Sequence, residues 1–309
     1  MPARLRDNAW LLLVLATVMW GGNAVAGKLA ANDWLPFTLT TFRWACAIVV
    51  LLPFAWRPLR RDWPVLRRHI PIIVALGGIG MCLFNLLMYV ALNHTSAINV
   101  SIIQGSMPLL IMIINFVVLS QRVRALQLVG LAISIGGVLV TTTGGRPLDF
   151  LTGGLNRGDA MMLLACVFYA GYTFGLRWRP KLHWLSYMLA ISVAALITTI
   201  PFTAWELARA DQPLPGIDGW LTLAYIAVFP TIVSQIAYAR GVELIGGNRA
   251  GQFINLVPVF GAALAVMILG ERFAGYHALG LALVIGGIMM AERAAARAAP
   301  PPPSARRPA

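Results

Sequence analysis

The sequence predicts an all-α integral membrane protein with ten transmembrane helices in two inverted five-helix repeats. Three observations support this fold class. Hydrophobic residues make up 59% of the 309 residues and charged residues only 11%, whereas an average soluble domain has about 25% charged residues. Apolar runs of membrane-spanning length recur along the whole chain, and features of the first half return in the second. A water-soluble protein is excluded because too few polar side chains remain to cover its surface.

Ten apolar segments have the length that a transmembrane helix needs. A helix rises 1.5 Å per residue, so about 20 residues cross the roughly 30 Å hydrocarbon core. In chain order, the predicted spans are residues 10–30, 34–54, 70–92, 97–119, 124–143, 158–177, 183–203, 218–240, 247–269 and 275–291. Ten spans use about 200 residues, so the connections are short and leave no room for a soluble domain.

The start of the chain allows a second interpretation. Arg4 and Arg6 precede the first apolar run, and Ala24-Val25-Ala26 resembles the cleavage site of a signal peptide. The first run has a counterpart later in the chain, which favours a retained transmembrane helix.

Basic residues are distributed unevenly between the predicted loops. If the N-terminus is cytoplasmic, the cytoplasmic segments hold 18 of the 24 Lys and Arg residues, the opposite side holds 5, and Arg43 lies inside a span. This asymmetry predicts a multi-pass protein of the cell (inner) membrane with both termini in the cytoplasm. The net charge of +13 is therefore assigned to loop topology and anionic lipid headgroups, and no nucleic-acid partner is expected.

An internal repeat sets the predicted architecture. A shift of 150 residues aligns 108–138 with 258–288 and gives nine identities in 31 positions. The identical pairs are Pro108/Pro258, Leu119/Leu269, Arg122/Arg272, Gly130/Gly280, Leu131/Leu281, Ala132/Ala282, Ile135/Ile285, Gly136/Gly286 and Gly137/Gly287. Because five is odd, the two copies have opposite orientations in the membrane. Inverted repeats of this kind are typical of secondary transporters, which bind substrate near the midplane between the halves.

The repeat divides the chain into four parts. The first five-helix repeat is predicted at 1–143, the inter-repeat loop at 144–157 and the inverted second repeat at 158–293. The tail, 294–309, contains an unbroken proline run from Pro300 to Pro303 and few large apolar residues. This composition predicts a disordered, basic, solvated end.

Several short motifs resemble the drug/metabolite transporter superfamily, EamA type. They are Trp20-Gly21-Gly22-Asn23, Pro36 with Arg43, Pro108, and the run from Pro258 through Leu269-Gly270-Glu271-Arg272 to Gly280 and Gly286-Gly287. The resemblance covers both halves and implies ten helices, cytoplasmic termini and export of amino acids or related metabolites. Aromatic abundance further resembles the YddG-like aromatic amino-acid exporters.

Two departures from the repeat pattern stand out. The second half has Gly270-Glu271 where the first half has Ser120-Gln121, and Arg43 aligns with the apolar Ile191. The two halves are therefore not chemically equivalent.

Polar and aromatic residues inside the spans form the candidate substrate site. The polar candidates are Asn23, Arg43, Asn85, Gln104, Gln235, Gln252 and Asn255, and the aromatic candidates are Trp20, Tyr89, Tyr169, Tyr172 and Tyr238. Amides that donate and accept hydrogen bonds suit a zwitterion, although single amides also join helices to one another. Four of the aromatic side chains are expected either to ring the pseudo-twofold axis or to pack against core and lipid, namely Trp20, Tyr89, Tyr169 and Tyr238.

Arg43 and two prolines have specific expected roles. Placing an arginine this deep costs about 2.5–3.5 kcal/mol even on mild scales, so its guanidinium must face a cavity or a partner. It is expected either to bind a substrate carboxylate in bidentate geometry or to clamp helix-end carbonyl groups. Pro108 and Pro258 are predicted to kink or break the fourth and ninth helices, and Pro230 is placed nearer a span end.

The acidic residues and histidines lie in predicted loops or within about a turn of a span end. A proton relay at mid-membrane is therefore not expected, and the predicted mode is uniport or coupling by a route that the sequence does not reveal. Cys46, Cys82 and Cys166 are far apart in sequence, so neither a metal site nor a cofactor is expected.

The functional prediction is a transporter that exports small metabolites, most readily neutral or aromatic amino acids, by alternating access. Its partners are the small-molecule substrate and the lipid bilayer. A channel is the first alternative and a membrane enzyme the second, although an enzyme would need a catalytic cluster that the sequence does not contain.

Overall fold

The computed structural model describes residues 8–119, 125–148 and 156–296, in which all regular secondary structure is helical. Within these residues ten helices are long and apolar enough to cross a membrane, which confirms the predicted number and order. Three helices are continuous α-helices with bounds close to prediction: α1 (Ala9–Ala30), α5 (Ala125–Thr142) and α7 (Trp184–Leu207).

Five helices contain a change of helical type or a break. They are α3 (Ile70–Val74, the π-helical turn Ala75–Cys82 and Leu83–Leu92), α4 (Ala97–Gln104 and Met107–Leu119), α6 (Arg157–Gly175 and the 3₁₀ turn Leu176–Trp178), α8 (Ile217–Val228, the π-helical turn Phe229–Val233 and Ser234–Ile245) and α9 (Gly247–Ile254 and Val257–Leu269). The π-helical turns were not predicted, because their altered hydrogen-bonding leaves no periodic signal in an all-apolar run.

Several helices continue past their predicted ends, by four residues in α7 and by five in α8. Helix α2 (Pro36–Leu66) continues past residue 54 with Pro53, Pro58 and Pro64 inside it. Packing of Ala55, Leu59 and Leu66 against neighbouring hydrophobic side chains holds this extension in place.

Helix α10 (Gly275–Ala296) continues past residue 291 and includes the first three residues of the predicted tail. Residues 297–309 of that tail, part of the inter-repeat loop (149–155) and the Ser120-Gln121 motif lie outside the described residues. The Ala24-Val25-Ala26 segment is buried inside α1.

Side-chain caps fix several helix starts. Asn8 accepts a hydrogen bond from the Leu11 N–H (3.1 Å), Ser96 from the Asn99 N–H (3.0 Å) and Asn156 from the Gly158 N–H (2.8 Å). Each cap satisfies one of the backbone donors that a helix start leaves unpaired.

Helices α5 and α10 pack through repeat-related glycines. A methyl group on Gly287 would collide with the Gly130 carbonyl oxygen, and one on Gly137 would lie 2.7 Å from the Gly280 carbonyl oxygen. The two contacts are equivalent under the repeat, since Gly130 aligns with Gly280 and Gly137 with Gly287. Contacts of α1 with α9 and of α4 with α6 are equivalent in the same way. This packing is consistent with an inverted repeat.

Gly287→Ala is expected to destabilise the protein by about 1–3 kcal/mol, because the added methyl group collides with a carbonyl oxygen that cannot move freely. The adjacent Gly286 provides a matched control, since a methyl group there meets no atom within 4 Å. Gly286→Ala should leave stability unchanged or raise it slightly. Thermal unfolding in detergent measures both variants, and equal melting temperatures would contradict the proposed close approach of α5 and α10.

Candidate functional site

A cavity of about 670 Å³ lies between the two halves, within the usual size range of small-molecule sites of roughly 300–1,000 Å³. Nine of the twelve predicted substrate-site residues line it: Trp20, Asn23, Arg43, Asn85, Gln104, Tyr169, Gln235, Gln252 and Asn255. The predicted hinge residues Pro108 and Pro258 line it as well. The sequence therefore identified most of the polar residues that the fold brings together.

Breaks in α4 and α9 bring backbone groups to the cavity. The α4 break closes with tight turns, Gly105 N–H to Ile102 C=O (3.0 Å) and Ser106 N–H to Ile103 C=O (2.9 Å). The α9 break closes in the same way with Leu256 N–H to Phe253 C=O (2.9 Å). A proline stands at the second residue after each break. Non-helical backbone at membrane depth is tolerated where it lines a cavity.

Arg43 is buried, with 4% of its surface exposed, and hydrogen-bonds to side chains from three other helices. Its Nη1 donates to Asn85 Oδ1 (2.7 Å), to Asn23 Oδ1 (3.3 Å) and to the Tyr89 hydroxyl, and its Nε donates to Thr231 Oγ1 (3.0 Å). Every one of these acceptors is uncharged, and none is a helix-end carbonyl. The arginine thus joins α2 to α1, α3 and α8.

Second contacts orient the acceptors around Arg43. Tyr89 donates to Asn23 Oδ1 (3.1 Å), Asn85 donates to the Met81 carbonyl (2.7 Å), and Thr231 donates to the Ile226 carbonyl (2.8 Å). The last bond spans five residues in the π-helical turn. These contacts fix each acceptor so that its oxygen points at the guanidinium.

The charge of Arg43 is not balanced inside the protein. No carboxylate lies within ion-pair distance of it, and its Nη2 makes no hydrogen bond, among the residues that the structure describes. A buried charge without a counter-charge is costly, so this site favours an anionic group. The bidentate fork expected from the sequence is not available, because Nε and Nη1 are already engaged and only Nη2 remains.

Amide side chains contribute polar groups to the cavity wall. The Gln104 Oε1 atom is buried and has no hydrogen-bond partner in the described part of the chain. Gln235 and Gln252 also line the cavity. The amides of Gln235 and Gln252 each offer a donor and an acceptor to a bound molecule.

The aromatic candidates separate into two groups. Trp20 and Tyr169 line the cavity. Tyr238 packs against Trp20 (ring centroids 5.2 Å apart) and Tyr172 against Tyr169 (5.8 Å). Tyr89 is 1% exposed and contacts Arg43. Thus Tyr89, Tyr172 and Tyr238 are outside the lining, and the expected ring of four aromatics is reduced to two.

Sequence reasoning missed several lining residues. Met81, Phe84 and Thr173 line the cavity without a distinctive sequence signal. Pro230 was placed near a span end, but it lies in the π-helical turn of α8 and lines the cavity. Glu292 was placed just past the last span, but the longer α10 carries it to the cavity wall.

The cavity extends toward one end of the helix bundle. We call this end the terminal end, because residue 8, where the described chain begins, and residue 296, where it finishes, both lie there. Lining residues there include Gly251 and Gln252 at the start of α9 and Glu292 near the finish of α10.

In the described residues, no cluster of three or more His, Cys, Asp or Glu side chains is arranged to hold a metal ion.

Hydrogen bonds between helices join the opposite end of the bundle. Lys28 Nζ donates to the Leu92 and Thr95 carbonyl groups (2.6 and 2.8 Å), and Thr95 Oγ1 donates to Asp159 (2.6 Å). Two carboxylates also accept from helix starts. Glu271 accepts from the Ala97 and Ile98 N–H groups (2.8 and 2.9 Å), and Glu206 accepts from the Phe37 and Thr38 N–H groups (3.0 and 2.7 Å).

Comparison with known proteins gives a consistent assignment. The EamA-like transporter family matches residues 8–143 and 156–292. The uncharacterized transporters YetK and YyaM of Bacillus subtilis are each 25% identical to the chain and cover 92% of it, and the chain covers 86% and 93% of theirs.

The uncharacterized inner membrane transporter YedA of Escherichia coli is 23% identical, with 88% of this chain and 87% of that protein covered. A solved crystal structure of another protein matches with a TM-score of 0.60 and 18% identity, and the match covers 93% of this chain and 98% of that one. This last similarity concerns the fold alone.

Proposed function

Because the chain belongs to the EamA-like transporter family, we propose that it exports a neutral amino acid, preferably an aromatic or large aliphatic one, or a similar zwitterion. The observation that carries this proposal is the uncompensated guanidinium of Arg43 at the wall of a largely neutral cavity. A substrate carboxylate would supply the missing negative charge through Arg43 Nη2. The proposal agrees with the YddG-like resemblance of the sequence, which stays a prediction.

The rest of the substrate finds matching groups in the same cavity. The amide oxygens of Gln235 and Gln252, whose side chains line the cavity, suit the substrate ammonium. Trp20 and Tyr169 offer aromatic surface to an apolar side chain. The cavity therefore provides a donor, an acceptor and an aromatic wall for the three parts of such an amino acid.

Counterflow in proteoliposomes tests this proposal. Vesicles loaded with unlabelled L-phenylalanine should transiently accumulate external labelled L-phenylalanine, and the flux should saturate. The flux should persist when an uncoupler collapses the proton gradient, as uniport predicts. A channel would show neither saturation nor counterflow. Absence of exchange for every member of a panel of neutral amino acids would rule out the proposed substrate class.

Orientation is part of the proposal. The 18 to 5 distribution of basic residues favours both termini in the cytoplasm, so the terminal end of the bundle would face the cytoplasm. A cysteine at position 180 should then be labelled only from the inside and one at position 212 only from the outside. Labelling of position 180 from the outside would reverse the orientation.

Alternating access is supported by the different states of the two ends. The cavity extends toward the terminal end, whereas Glu271 and Lys28 join helices of the opposite end. Glu271 belongs to the second half and its partners Ala97 and Ile98 to the first, so this contact must break for the opposite end to open. Its repeat counterpart is the neutral Gln121. A carboxylate binds the N-terminus of a helix more strongly than an amide does.

Glu271→Ala is expected to open the opposite end in part of the population, because the start of α4 loses two charge-assisted hydrogen bonds. Spin labels at His94 and Phe273, both exposed beside this contact, should report a second, longer distance in the variant. Glu243→Ala, which removes a carboxylate that pairs with Arg240 at the terminal end, is the matched control and should leave this distance unchanged. An unchanged distribution in Glu271→Ala would argue against the contact as a closure.

A further inference from the structure

Two fixed charges line the cavity within the described residues: Arg43 and Glu292. They lie on different helices and at different depths. Arg43 is buried in α2, near the α1 and α3 amides, whereas Glu292 is exposed near the terminal end of α10. The Asn255 Nδ2 atom donates to Glu292 Oε2 (3.4 Å) and holds the carboxylate beside the break in α9. The cavity therefore has a positive inner wall and a negative mouth.

Basic side chains outnumber acidic ones around this mouth. Exposed arginines at the same end include Arg57, Arg61, Arg177, Arg179, Arg240 and Arg293, and the whole chain carries a net charge of +13. A field of one sign raises the local concentration of oppositely charged solutes. Anionic metabolites would therefore be attracted to the mouth and, once inside, to Arg43. A binding site for zwitterions needs a group that disfavours such anions.

We propose that Glu292 is a specificity-determining residue that selects zwitterions over anions at the mouth of the cavity. This inference rests on the proposed function and names the class of solute that the same cavity excludes, namely anions without an ammonium group. The carboxylate repels a solute that carries only a carboxylate, and it attracts the ammonium of an amino acid. Glu292 acts on the solute as it enters the mouth, before the carboxylate of the amino acid reaches Arg43 deeper in the cavity.

The test compares two solutes that share an aromatic side chain. L-Phenylalanine carries an ammonium and a carboxylate, whereas 3-phenylpropionate carries the carboxylate alone. In Glu292→Gln, the ratio of kcat/KM for L-phenylalanine to that for 3-phenylpropionate should fall by about tenfold or more. Part of this change should be a gain of 3-phenylpropionate flux, which a merely structural defect would not produce.

Glu243→Gln is the matched control. Glu243 lies at the same end of the bundle and pairs with Arg240 (2.9 Å), but it does not line the cavity. The control removes the same charge from the same surface, so it should keep the wild-type ratio. Glu292→Asp keeps the charge and should also keep the ratio.

The outcomes separate this inference from the proposed function. If the wild type exchanges L-phenylalanine and folded Glu292→Gln keeps the wild-type ratio, Glu292 does not select substrates and the inference fails alone. If Glu292→Gln does not fold, Glu292→Ala is measured instead, and the same fall of the ratio is expected. If the wild type exchanges no amino acid, the proposed function fails and the inference fails with it. An equal fall of the ratio in Glu243→Gln would assign the effect to general surface charge and overturn the inference.

Discussion

Arg43→Lys is expected to lower kcat/KM for L-phenylalanine by about a hundredfold, a loss of roughly 2.7 kcal/mol of transition-state binding. Arginine binds Asn85, Asn23, Tyr89 and Thr231 through Nη1 and Nε, and among the described residues its Nη2 makes no hydrogen bond and is left for the substrate. A lysine ammonium has three donors at a single point. It can bind the surrounding oxygens or the substrate carboxylate, but it cannot reproduce both sets of contacts.

Phenethylamine provides the discriminating measurement for this variant. It has the aromatic side chain and the ammonium of phenylalanine but no carboxylate, so its apparent affinity should change little in Arg43→Lys. Arg177→Lys is the matched control, because Arg177 donates to Asn115 (2.7 Å) outside the cavity lining. Equal losses for both solutes, together with a lower melting temperature, would mean that Arg43 acts as a structural link between helices rather than as a carboxylate ligand.

Trp20→Ala is expected to weaken the apparent affinity for L-phenylalanine by about tenfold or more, since buried aromatic surface contributes roughly 1–3 kcal/mol. The affinity for L-alanine should change much less, because its methyl side chain does not reach the aromatic wall. Trp20→Phe keeps a ring and should restore most of the affinity. Equilibrium binding to purified protein measures these differences independently of transport rate.

Trp56→Ala is the matched control for this variant. Trp56 is 53% exposed on α2, away from the cavity lining, so its loss should leave both affinities unchanged. Wild-type affinity for L-phenylalanine in Trp20→Ala would mean that the aromatic part of the substrate binds elsewhere. Tyr169, which lines the cavity beside Phe84 (ring centroids 5.1 Å apart), would then be the next residue to replace.

The twelve predicted site residues show which features of the cavity can be predicted from the sequence. Polar groups inside apolar runs, such as Gln104 and Gln252, were identifiable because lipid-facing positions exclude them. Tyr89 met the same criterion as Tyr169, yet Tyr89 contacts Arg43 behind the cavity while Tyr169 lines it. The sequence shows on which helix a residue lies. It does not show which neighbouring helix packs against the helix face that carries the residue.

Glu292 illustrates the opposite case. It was assigned to the region outside the membrane because apolar residues give way to charged ones after residue 291. Helix α10 continues to Ala296, and Ala291 and Ala294 near its finish are packed inside the protein, at 4% and 2% exposed. Tertiary contacts therefore decided both where this helix finishes and that its carboxylate reaches the cavity.

The sequence by itself determined the number and order of the ten helices, because the length of an apolar run and the bilayer thickness are local quantities. It also located the prolines at the breaks of α4 and α9, since proline lacks the backbone donor that a continuous helix uses. Only the tertiary structure decided which oxygens surround Arg43. Its partners come from α1, α3 and α8, and their convergence depends on packing and on the π-helical turn that places Thr231. These are contacts between residues up to 188 positions apart, and no local pattern in the chain encodes them.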